Sequence, residues 1–126
     1  MSGGSGDEAV AEVEQQARQR LMDRGGKDLP RLPWMISGQP HDAVTLIRQA
    51  LWRANTDRDA LQIPEDLFAA VTLLAAARSE LDQMEAGLLF VARAEGLTWA
   101  QIAEALGLRT AQAAQQRHER VVARLP

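Results

Sequence analysis

The stretch from Gly96 to Thr110, GLTWAQIAEALGLRT, constrains the fold of this 126-residue chain more than any other. Thr98 is a strong N-cap residue, and Gln101 three positions on completes a capping box. Ile102 and Leu106 then share one helix face at i, i+4 spacing. Ala103 is small where a second helix must cross closely. Gly107 supplies the positive φ that a tight turn needs, and Leu108 plugs the core after it. Thr110 caps a second helix, which runs to about Arg124. Alanine and glycine four apart, flanked by apolar residues, predict a helix-turn-helix over about Thr98 to Leu125 rather than a simple helical hairpin.

The rest of the chain also reads as helix. Asp7 to Arg24 has no Pro and no internal Gly, and places Val10, Val13, Ala17 and Leu21 at helical spacing. The stripe is narrow, so the helix is expected to order against a partner. The first six residues, MSGGSG, lack the basic and apolar regions of a signal peptide and are expected to form a disordered lead-in. Gly25-Gly26 ends the helix, and Pro30, Pro33, Gly38 and Pro40 mark a linker. Trp34, Met35 and Ile36 in that linker are expected to dock on the helical body or on a second subunit. Pro40 fits the first turn of a helix carrying Ala43, Val44, Ile47, Ala50, Leu51 and Ala54.

Pro64 opens the next helix, with Glu65 and Asp66 favouring the positive end of its dipole. Apolar residues Leu67, Val71, Leu74, Leu81, Leu88 and Val91 fall near a 3–4 repeat. Arg78 interrupts the seam and Glu85 sits beside Met84. One helix of ~30 residues is expected here, in preference to a break near Arg78-Ser79. So long a helix needs a surface to bury its stripe, either the helix at 40–55 or its own copy in another protomer. No alternation supports a sheet. The expected fold is all-α, a helical bundle with a long central helix and a C-terminal helix-turn-helix. Its regions are an N-terminal helix and partly disordered Pro-rich linker (1–39), a helical body that also serves dimerisation (40–95) and the helix-turn-helix (96–126).

Charge is distributed unevenly. The whole chain carries a net −3. Residues 34–95 hold nine acids and five bases, whereas residues 96–126 hold Glu104 and Glu119 against Arg109, Arg117, Arg120 and Arg124. The basic segment is thus also the one with the motif, and distribution matters more than the sum.

The segment ARAEGLTWAQIAEALGLRTAQAAQQRHERV, Ala92 to Val121, resembles the helix-turn-helix of small actinobacterial DNA-binding proteins, some of them nucleoid-associated. It is more distantly similar to the last DNA-reading region of sigma factors. The resemblance rests on Ala92, Arg93, Ala94, Gly96, Thr98, Trp99, Ile102, Ala103, Leu106, Gly107, Gln112, Ala113, Ala114, Arg117 and Arg120. His118 departs from it where a larger aromatic residue is expected, and Gln116 where sigma-like motifs are apolar.

A helix-turn-helix places the start of its second helix in the major groove. Arg109, Thr110, Gln112 and Gln115 would then lie near bases and phosphates, because Gln pairs with adenine and Arg with guanine. Gln116 can face either way. Arg117, Arg120 and Arg124 are expected to grip phosphates, or else to pair with Glu104, Glu119 or the acidic body. Thr98 and Trp99 begin the first helix of the motif. Trp99 is expected in the core, with an indole N–H that can reach a phosphate as the alternative. His118 lies on the Ala114, Val121, Leu125 stripe and is expected in the core. His41 is expected to be structural or exposed.

Other classes find little support. The chain has no cysteine and two distant histidines, so no cofactor or metal is expected. Glu65-Asp66, Glu80-Asp82 and Asp57-Arg58-Asp59 read as helix caps and solvated faces, and no enzyme is expected. No apolar run approaches a membrane span. The expected partners are double-stranded DNA and a second copy of the chain in the cytoplasm, at the nucleoid. The rival reading is an interaction module for RNA polymerase, a sigma factor or another regulator.

Overall fold

A computed structural model describes residues 2–36, 38–56 and 61–126. The Asp57-Arg58-Asp59 cluster lies outside the described residues. Among the described residues the chain is all-α, with α1 (Ser2–Asp23), α2 (Ala43–Thr56), α3 (Ile63–Thr72), α4 (Leu74–Ala94), α5 (Trp99–Leu106) and α6 (Ala111–Arg124). No helix among them is long and apolar enough to cross a membrane. The chain divides into two compact units, residues 1–77 and 78–126.

The first unit is built on alanine. α1, α2 and α3 pack on one another around Ala17, Leu21, Leu46, Ala50, Ala69 and Leu73. Small side chains let the helices approach closely, as does Gly26 after α1. A Cβ on Gly26 would sit 2.7 Å from Leu46 Cδ2. Buried Asp66 ties α1 to α3, with its Oδ1 3.0 Å from Arg20 Nε and its Oδ2 3.0 Å from Arg24 Nε. A buried carboxylate needs such partners to offset its lost hydration. Asp66 is therefore more than the dipole-favouring residue its position suggests.

Several local expectations change. α1 continues back to Ser2, so the lead-in is helical from there. Its outer stripe residues Val10 and Val13 stay exposed, and only Ala17 and Leu21 are buried. α2 starts at Ala43 rather than at Pro40. Asp42 sets that start, since its Oδ1 accepts the Thr45 N–H at 3.1 Å. Trp34 and Ile36 do not dock on the helical body; both remain largely exposed. His41 is buried and structural, with Nε2 3.3 Å from the Leu29 carbonyl.

The long central helix is α4, of 21 residues. The continuous run expected over 64–95 is broken once, at Leu73, and not at Arg78-Ser79. Thr72 Oγ1 donates to the Phe68 carbonyl at 2.9 Å. Such back-bonding by a hydroxyl bends helices. Leu73 follows at ψ −1°, and its side chain is fully buried in the core of the first unit.

Candidate nucleic-acid interface

The second unit sets α5 and α6 against the C-terminal part of α4. Thr98 starts α5. Its Oγ1 accepts the Gln101 N–H at 3.1 Å, and Gln101 Oε1 accepts the Thr98 N–H at 2.8 Å. The capping box is complete. Gly107 ends α5 in the left-handed region, at φ 73° and ψ 21°. The Leu108 N–H reaches the Ala103 carbonyl at 2.8 Å and the Gly107 N–H reaches Glu104 at 3.1 Å. These are the paired bonds of a Schellman ending. After the turn, Thr110 Oγ1 accepts the Ala113 N–H at 3.0 Å and starts α6.

The core between these helices is small. Ile102 and Ala103 of α5, Ala114 of α6 and Leu89 of α4 are buried together, with Trp99, Leu106 and Leu108 partly buried around them. Ala103 and Ala114 carry no bulk beyond Cβ, which permits close helix approach. Trp99 is a partly buried aromatic packed on this core. Its ring lies 5.5 Å from that of His118, and the Arg93 guanidinium stands 5.3 Å from its centroid. His118 is half-buried beside it.

α6 is oriented by two ion pairs to α4. Arg117 Nε and Nη2 donate to Glu85 at 3.0 and 2.9 Å. Arg124 Nε and Nη2 donate to Asp82 at 3.1 and 3.0 Å. Each is a two-pronged guanidinium–carboxylate contact. The hydrogen bonds from Arg117 hold the Glu85 carboxyl below the usual carboxylate range, against an opposing push from burial. Arg124 does the same for Asp82. Both guanidiniums are correspondingly harder to deprotonate.

The candidate residues therefore separate into two groups. Arg109, Thr110, Gln112, Gln115, Gln116 and Arg120 are exposed on the turn and on α6. Gln112 and Gln116 fall on the side of α6 opposite Ala114 and Val121, by helical periodicity, with Arg120 at the edge of that side. Glu119 shares that side. Arg117 and Arg124 instead face α4 and have carboxylate partners. Thr98 is exposed and acts as a cap, while Trp99 belongs to the core. Glu85 and Asp82 were missed as functional positions. Only their i, i+3 placement with Leu89 on one face of α4 hinted at it, and their arginines lie far along the chain. Comparison of the chain with known protein families, curated proteins and solved structures finds no match.

Proposed function

We propose that α5 and α6 form a DNA-binding helix-turn-helix whose outer α6 face enters the major groove, in transcription regulation or nucleoid organisation. One observation carries the reading: Arg109, Thr110, Gln112, Gln116 and Arg120 stand exposed at the turn and along α6, while the opposite face is fixed by Ala114 and by Arg117 and Arg124. A helix held from behind needs little further ordering of its backbone on binding. Arg109 and Arg120 take the phosphate role, and Gln112 and Gln116 meet base edges. Arg117 and Arg124 position the helix. A single motif offers a small contact area, so two copies acting together raise affinity. Such a protein works at the bacterial nucleoid, in the cytoplasm.

The charge balance favours a second reading. With Arg117 and Arg124 engaged and Glu119 beside Arg120, the outer face has little net positive charge. In this reading the unit docks on RNA polymerase, a sigma factor or another regulator. Gel mobility with a mixed-sequence duplex separates the two. Retardation at low salt that disappears as salt rises supports DNA binding. No retardation of any duplex at micromolar protein and low salt supports the interaction module.

A further inference from the structure

α4 presents two distinct faces. Asp82, Glu85 and Leu89 lie on the face engaged by α5 and α6. To one side of it, Leu81, Met84, Leu88 and Val91 are 60%, 65%, 65% and 55% exposed. Their spacing of three, four and three puts them on a single stripe along the helix. A stripe with this repeat is the seam that a second helix fills, knob into hole. The order three, four, three reads the same in either chain direction, so the seam is complementary to its own reverse.

We propose that a second copy of this chain covers the stripe, α4 against α4 and antiparallel, about a two-fold axis beside Ala86. Leu81 then faces Val91 of the partner subunit, and Met84 faces Leu88 of the partner subunit. The two-fold repeats both layers. Exposed Arg78 comes level with Glu95 of the partner subunit, which places opposite charges at both ends of the seam. Near the axis, Glu85 is already neutralised by Arg117. A parallel pairing would instead set Glu95, four residues beyond Val91 on the same stripe, against Glu95 of the partner subunit, because an in-register parallel pair brings each seam residue level with its own copy. Like charges there disfavour it, so charge complementarity selects the antiparallel form. The seam is short against the ~1,600 Å² of a standard interface, and the dimer is accordingly concentration-dependent.

This deepens the two-copy part of the proposed function, and its test uses no DNA, so either can fail without the other. Sedimentation velocity of the full chain across the micromolar range should show the mass rising towards twice that of one chain. Leu81→Glu/Leu88→Glu should stay monomeric while keeping the wild-type helical circular dichroism, because both positions are exposed. The chain has no cysteine of its own, so introduced thiols report the register. A mixture of Leu81→Cys and Val91→Cys chains should cross-link about tenfold faster than Leu81→Cys alone, given the short reach of a disulfide. A monomer at every concentration overturns the proposal. So does a dimer that survives the double Glu variant, or Leu81→Cys that links to itself as fast as the mixture.

Discussion

Arg117 on α6 and Glu85 on α4 meet through two hydrogen bonds of 3.0 and 2.9 Å, so a basic residue of the C-terminal segment serves as an internal strut. Arg124 and Asp82 repeat the arrangement further along both helices. The pairs divide the arginines of α6 into those that hold the helix and the one, Arg120, left on its outer side.

Removing the strut should loosen the second unit. Glu85→Gln keeps the shape and one acceptor but loses the charge. The contact is half-exposed on the Arg117 side, which places it near the upper end of surface pairs, about 1 kcal/mol. Urea unfolding at neutral pH should show a loss of that size.

Acid should act through the same pairs. The folded carboxyls of Glu85 and Asp82 titrate below their unfolded values, because arginine hydrogen bonds favour the charged forms. Their stabilisation is therefore complete above the unfolded pKa values, about 4. It is lost as pH falls from there through the lowered folded values. The Asp82→Asn/Glu85→Gln variant should show a flatter stability profile over that window, measured by urea midpoints against pH.

The turn makes a sharper demand. A Cβ on Gly107 meets nothing within 4 Å, yet φ is 73°. Gly107→Ala should cost about 1 kcal/mol through backbone strain alone. Ala103→Leu should cost about 1–3 kcal/mol for the opposite reason, overpacking at a buried crossing. Thermal melts of the two variants check both.

The capping box, the left-handed Gly107 and the buried Ala103 were legible because each is local. A cap, a turn and a small residue announce themselves within a few positions. The break at Leu73, beside the Thr72 hydroxyl that turns back on Phe68, was not legible, because the sequence around it is ordinary helix. Nor were the partners of Asp66, Glu85 and Asp82, which lie 32 to 46 positions away. Side chains that pair at such separation leave no periodic trace. Trp34 and Ile36 stay exposed on the chain itself, and apolar character alone does not choose between the helical body and the second subunit that the sequence left open.

Base preference should reside in the glutamines. Gln112→Ala should change which duplexes bind best while leaving the salt dependence nearly unaltered. Selection from a randomised duplex pool, compared with the wild type, reads this directly.

The central claim is that the outer face of α6 meets the phosphates and bases of DNA. Its most direct measurement is the salt dependence of duplex binding, by fluorescence anisotropy, for the wild type and for Arg109→Ala/Arg120→Ala. The account predicts wild-type binding at low salt, and a log–log slope shallower by about two units in the variant, one for each lost phosphate contact. A wild type that binds no duplex at low salt, or a variant with an unchanged slope and affinity, would contradict it.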